Sequence, residues 1–122
     1  METYYIKSAA LESITEAAKN VYPNEFFSLL GGKNKTIEEL VVVPAIYGKD
    51  FSSYRLDLVP FDSGIIGSVH SHPSPASFPS KADLSSFERK GEIHLIIGHP
   101  YTFNTISAFD RKGGSVRLEV VE

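Results

Sequence analysis

The order of apolar and polar positions divides this chain into strand-like and helix-like stretches. Leu11, Ile14, Ala18 and Val21 recur at helical spacing, Ser8 stands where an N-cap belongs, and Pro23 ends the segment. A short strand is expected before it, over Tyr4 to Ile6. After it, Glu25 to Leu30 reads as a strand running into the Gly31-Gly32 pair. Lys33 to Thr36 reads as a polar turn, and the Val- and Ile-rich stretch Ile37 to Ala45 as a long strand. Tyr54, Leu56 and Leu58 alternate with Arg55 and Asp57, which predicts a half-buried strand over Ser53 to Leu58. Ile65 to His72 is a further strand, stopped by Pro73. Ser74 to Pro79 holds two prolines and is read as irregular. Ser80 to Lys90 suits a short helix ended by Gly91. His94 to Ile97, Thr102 to Phe109 and Val116 to Val121 are strands, the last two joined by a hairpin turn over Asp110 to Gly114. The predicted fold class is α+β, a mostly antiparallel sheet with two main helices packed on it.

Length and composition narrow the functional field. The 122 residues suit one domain spanning 1–122. A domain of this size buries roughly two-thirds of its unfolded surface, so its core needs no structural metal. The formal charge of -3, from 12 basic and 15 acidic residues, comes with no basic tract, which argues against nucleic-acid binding. With no cysteine, disulfide frameworks, thiolate zinc sites and cysteine nucleophiles are excluded together. The longest apolar run, Leu40 to Tyr47, is broken by Pro44 and far too short to span a bilayer. Met1 to Lys7 has no signal-peptide character. The expectation is a cytoplasmic protein with no membrane partner.

The chemistry concentrates in one stretch, His70-Ser71-His72-Pro73-Ser74-Pro75-Ala76-Ser77-Phe78-Pro79-Ser80-Lys81-Ala82-Asp83. Residues i and i+2 of a strand project from the same face, so His70 and His72 can point two imidazoles at one ion. Pro73 then turns the chain, and the irregular segment can return Asp83 to the same place. Two nitrogens and one carboxylate oxygen suit zinc, with the fourth tetrahedral position left for water, the catalytic arrangement. The same residues have plainer readings. A His-x-His pair also suits two packed histidines. Ser80 followed by Asp83 also suits a capping box, Ser80 as N-cap and Asp83 at N3.

The pattern His-Ser-His-Pro, six residues, Ser80, two residues, Asp83 resembles the signature of the JAMM/MPN+ metalloproteases, in the manner of a minimal archaeal or prokaryotic deubiquitinase-like member. The resemblance runs over nearly the whole chain. It implies an MPN/JAMM fold with cytidine-deaminase-like layering. It implies one zinc ion per chain, held by His70, His72 and Asp83. It also implies roles: Glu25, in an early strand after the first helix, as general base, and Ser80 as hydrogen-bond donor to the developing oxyanion. Taken alone, Glu25 reads as a solvated carboxylate at a strand edge. The implied substrates are ubiquitin-like proteins and their conjugates, cut by peptide or isopeptide hydrolysis after a C-terminal Gly-Gly, or the tails of sulfur-carrier proteins. An exposed sheet edge beside the site could pair with an extended tail, and a channel crowded by Ser74 to Pro79 would favour glycine at the scissile bond. Monomer and homodimer both remain open.

Two other readings compete. Gly64, five residues, then His70-x-His72 matches the start of a cupin pattern, but Ala76 and Ser77 stand where a cupin needs its glutamate, and the later histidine motif is missing. A non-catalytic zinc-binding interaction module would keep the ligands and show no turnover. A zincin is excluded because no His-Glu-x-x-His occurs. Among the remaining candidates, His94 on an apolar strand reads as packed or supporting, His99 before Pro100 as loop, and Phe26, Phe27, Leu29 and Leu30 as core. Gly31-Gly32 reads as a strand-end turn and not a phosphate loop.

Overall fold

The computed structural model describes residues 2–41, 64–75, 79, 81 and 91–122. Its element order is β1 (Thr3–Lys7), α1 (Ser8–Val21), β2 (Phe27–Lys33), β3 (Thr36–Val41), β4 (Ile65–His72), β5 (Ile93–Gly98), a 3-10 turn at Phe103–Thr105, β6 (Ile106–Phe109) and β7 (Ser115–Val121). The expected strand over Ser53 to Leu58 and residues 42–45 of the expected long strand lie outside the described residues. So does most of the expected second helix; within it only Lys81 is described, and it is helical.

Helix α1 forms because an apolar stripe recurs every four residues. Ala10, Ile14 and Ala18 are buried on it, and Leu11 packs beside them. The stripe stops at Ala18, and Val21 in the last turn is exposed. Ser8 is the first helical residue and not the cap. Lys7 holds the cap position with extended backbone and no side-chain hydrogen bond, because β1 runs straight into the helix. The helix packs on β3, β1, β4 and β7.

The seven described strands close in the order β1-β3-β2-β4-β5-β6-β7, with β7 returning to β1. The sheet is mixed: antiparallel pairs are the majority, as expected, but three of the seven are parallel. Pairs β2/β3, β2/β4, β5/β6 and β6/β7 are antiparallel, whereas β1/β3, β1/β7 and β4/β5 are parallel. A parallel neighbour needs a long crossover. The stretch 73–92 between β4 and β5 supplies one, and local periodicity does not reveal the direction in which such a connection returns. Closure also leaves every described strand with two neighbours, so the free edge expected for tail pairing is not found among them.

Two local readings change for the same kind of reason. The polar turn narrows to Asn34 and Lys35, both left-handed at φ 53 and 60, the two-residue hairpin geometry that matches strand twist. Gly31 and Gly32 do not end β2. The strand continues to Lys33 with its register against β3 shifting between the two glycines, and its register against β4 shifting between Leu30 and Gly31. The Asp110 to Gly114 hairpin turn forms as expected. The Asp110 carboxylate accepts from the amides of Lys112 and Gly114, both at 2.8 Å, and Gly113 is left-handed at φ 86.

The core gathers Tyr4, Ile6, Ile14, Leu30, Ile37, Val69, Ile93, Leu95 and Ile97 between the helix and the closed sheet. Full burial of each large aliphatic side chain contributes about 1.5–3 kcal/mol. Tyr4 is its polar-tipped member. Burial, and then the charges of Glu92 and Glu2, push its phenol up from the usual 10.0 to about 12, and its hydroxyl donates to Glu92. The unfolded chain loses that proton near pH 10 and the folded chain near 12. The stabilisation is therefore complete below pH 10 and is lost as pH rises through 12. Thermal melts taken from pH 9 to 12 should fall less steeply for Tyr4→Phe than for the parent; identical slopes would remove Tyr4 from the alkaline limb.

Candidate metal centre

Strand β4 carries the two histidines at its C-terminal end, at the bounds expected from sequence. It lies between β2 and β5, with His70 opposite Phe27 on one side and Ile96 on the other, and His72 beside Gly98. Its central residues are buried on both faces, which suits its Val-, Ile- and small-residue composition. His70 is 2% exposed and His72 is half-buried at the mouth.

The alternation of the strand sends both imidazoles to one side. Their Nε2 atoms stand 3.2 Å apart, with ring centroids 5.0 Å apart. Two nitrogens bound to one zinc at about 2.0–2.1 Å and a tetrahedral angle lie roughly 3.3 Å from each other. The pair therefore has the bite of two ligands of one ion, and the donor chemistry fits zinc. Ser80 and Asp83, the remaining residues of the motif, lie outside the described residues. Among the described residues, no group of three or more His, Asp or Glu side chains gathers as a metal cage.

Glu25 is not on a strand, contrary to the sequence reading. It is half-buried in the irregular connection between α1 and β2, two residues before β2 begins. That connection is tied to the histidine strand at the next residue. Ser71 N–H donates to the Phe26 carbonyl at 2.9 Å, and Phe26 N–H donates to the Ser71 hydroxyl oxygen at 2.7 Å. Ser71, between the two histidines, is fully buried. Sequence reasoning passed over it as a spacer. The available signal was a small hydroxyl residue on a strand otherwise buried on both faces, where a polar group needs a partner.

The chain beyond His72 folds back over the end of β5. His99 N–H reaches the carbonyls of Ser74 at 3.0 Å and His72 at 3.3 Å. The crossing is close enough that a Cβ on Gly98 would lie 2.8 Å from the carbonyl oxygens of both Ser74 and Pro75, so only glycine fits there. His99 is the loop residue expected, and it packs against Tyr22 at 4.7 Å between ring centroids. Tyr101 lies edge-on to both rings, 6.0 Å from Tyr22 and 5.4 Å from His99. Its phenol is pushed up by burial, then by Tyr22 and by the charge of Glu25, which places it in the electrostatic neighbourhood of that carboxylate.

His94 is packed, as its apolar strand suggested. It is fully buried on β5, with Nδ1 2.7 Å from the Ser68 hydroxyl and Nε2 2.9 Å from the Gly91 carbonyl. A carbonyl can only accept, so Nε2 carries the proton and Nδ1 accepts from Ser68. Gly91 is itself confined: its φ is +116, and a Cβ there would lie 2.4 Å from the Ile66 carbonyl oxygen. The pair braces β4 against the start of β5, behind the histidines.

The family described as prokaryotic homologs of the JAB domain matches residues 7–112. A probable metalloprotease of Haloferax volcanii is 34% identical over 99% of this chain and 81% of its own length. Among solved structures, one described as JAMM, a metalloprotease-like zinc site in the proteasome and signalosome, superposes with a TM-score of 0.79. It is 38% identical, over 98% of this chain and 99% of the other. A JAB1/MPN domain protein from Archaeoglobus fulgidus superposes at 0.78, 39% identical over the full length of both chains. A Desulfitobacterium hafniense protein shares the fold at 20% identity, with a TM-score of 0.67 over 98% of this chain and 93% of its own.

Among the described residues, one buried side-chain group is unsatisfied. The Tyr101 hydroxyl is enclosed and has no hydrogen-bond partner among the described residues. A buried orphan donor costs about 1–3 kcal/mol. Tyr101→Phe should keep the ring packing and raise stability by about 1 kcal/mol, read as the midpoint of urea unfolding; a destabilised variant would show that the hydroxyl has a partner in solution.

Proposed function

The chain belongs to the JAB/JAMM family of metalloproteases, and from that premise we propose that it is a zinc-dependent hydrolase cutting the peptide or isopeptide bond after the C-terminal Gly-Gly of ubiquitin-like proteins of the small archaeal modifier type. The observation that carries the hydrolase reading is the 3.2 Å approach of His70 Nε2 and His72 Nε2 at the end of β4. Asp83 is the proposed third ligand, in a set of one zinc per chain. Zinc held there would supply Lewis acidity, polarising the scissile carbonyl and easing loss of a proton from the attacking water.

The protein's own groups do the rest. Glu25 takes the proton of the attacking water and delivers it to the leaving amine. What supports that role is a half-buried carboxylate on an irregular segment, one residue from a double hydrogen bond to the histidine strand. Ser80 donates a hydrogen bond to the oxyanion that forms at the scissile carbonyl. His94 and Ser68 support β4 from within the sheet and take no part in proton transfer.

The preference for Gly-Gly rests on crowding. The Ser74–Pro75 backbone lies across the end of β5 near His72, so small residues beside the scissile bond are the ones a narrow approach admits. Hydrolysis of sulfur-carrier tails would use the same geometry, so the substrate panel below includes both classes. The cupin reading loses its ground, since it required a chain without the early helix, and α1 is present. A non-catalytic zinc module is distinguished by turnover.

Three outcomes are expected. The parent protein should hold about one zinc per chain by elemental analysis, and His72→Ala should lose most of it while staying folded, since the core does not depend on the metal. Full zinc in that variant would remove His72 as a ligand. Glu25→Gln should keep zinc and lose turnover by about 10²–10⁴-fold; a near-parental rate would remove Glu25 as base. Fusions of ubiquitin-like and sulfur-carrier proteins ending Gly-Gly should be cut faster than those ending Ala-Ala or Val-Val. Equal rates on all three, or faster cleavage of an unstructured peptide, would make the protein a general peptidase.

A further inference from the structure

Ser71 and Phe26 stand opposite each other at the point where the β2/β4 ladder ends. Phe27 pairs with His70, so the next pair outward is Phe26 with Ser71. In a regular antiparallel ladder this pair would exchange two main-chain bonds, N–H to carbonyl in each direction. One of them is present, from Ser71 N–H to the Phe26 carbonyl at 2.9 Å. The other is replaced. Phe26 N–H is directed to the Ser71 side-chain oxygen at 2.7 Å instead of to the Ser71 carbonyl.

This exchange has a geometric consequence. The Ser71 carbonyl is fixed by the strand, whereas its hydroxyl lies off the strand axis on the face opposite the imidazoles. Accepting from Phe26 there, it draws the chain out of the ladder just after Glu25, and β2 accordingly begins only at Phe27. The residue beside Glu25 is thus fastened at both its N–H and its C=O to the residue lying between the two histidines. Ser71 is fully buried, so water does not compete for the bond.

We propose that Ser71 is a positioning residue, whose hydroxyl sets the placement of Glu25 relative to His70 and His72. The proposal rests on the reading of Glu25 as general base for its kinetic consequence, but not for its structural one. A serine at this position accepts from the peptide N–H of the base-bearing segment, which alanine cannot do and cysteine does only weakly. Threonine keeps the oxygen.

The test compares Ser71→Ala, Ser71→Cys and Ser71→Thr in the zinc-loaded protein, with amide hydrogen exchange at Phe26 and backbone order parameters over residues 24–27 read by NMR. Cysteine leaves no cavity, so it serves if alanine folds poorly. Alanine and cysteine should speed Phe26 exchange at least tenfold and loosen residues 24–27, with zinc content unchanged, while threonine stays close to the parent. Turnover should follow: kcat down about ten- to a hundredfold for alanine and cysteine with KM little changed, since a misplaced catalytic group costs that much, and recovery in threonine. Unchanged exchange and order in both alanine and cysteine variants would overturn the proposal whatever the activity. Faster exchange with kcat retained would overturn it too, showing that the tether does not govern the base. If Glu25→Gln proves as active as the parent, the hydrolytic role of Glu25 falls, while the exchange data still decide whether Ser71 holds the segment.

Discussion

The hydrogen-bonded seat of β4 between β2 and β5 is the constraint on which the candidate centre depends. His70 and His72 converge because eight residues, Ile65–His72, are held in one extended register by an antiparallel ladder on one side and a parallel ladder on the other. Two imidazoles on a frayed or edge strand would lose rotamer definition, and the approach of their nitrogens would be one conformation among many. Here the strand is buried on both faces, and the outermost described groups are themselves tied down: Phe26 to Ser71, and His99 to the carbonyls of His72 and Ser74. Rigidity reaches to the last residue before the turn, where the chemistry needs it.

A strand buried on both faces normally excludes polar side chains, yet this region of the sheet carries Ser28, Ser68, Ser71, His70 and His94. Each is reconciled by a specific partner. Ser28 donates to main-chain carbonyls, including that of Val41 at 3.0 Å. Ser68 is bound to His94, Ser71 to Phe26, and His70 faces His72. In a low-dielectric interior such bonds are strong, and their absence is costly. The polar residues therefore act as fasteners: they fix neighbouring segments at single positions, where apolar contacts would allow sliding. Tyr101 is the exception: its enclosed hydroxyl has no hydrogen-bond partner among the described residues, and it feels the charge of Glu25.

Closure of the sheet decides which main-chain groups of the described strands are already paired. With two neighbours for every described strand, main-chain pairing to a bare edge is not offered among them. At the end of β5 the segment after His72 crosses Gly98, and Tyr22 and His99 pack ring against ring, with Tyr22 exposed.

The sequence by itself determined the local and the chemical parts. The stripe Ala10, Ile14, Ala18 made the helix, β4 was legible to the residue, and the Asp110 turn was written in its own residues. The spacing His70-x-His72 placed two nitrogens on one face, because strand alternation is a local property. What the tertiary structure decided were the relations between distant segments. The parallel pairing of β4 with β5 and the closure of β7 on β1 depend on which way long connections return, and periodicity carries no such information. Glu25 reads as strand by composition, yet it lies outside β2 because Ser71, 45 residues beyond Phe26 in the chain, takes the amide that a regular ladder would use. A hydrogen bond of that sequence separation is invisible to local pattern. It exists only once the fold has brought the two strands together.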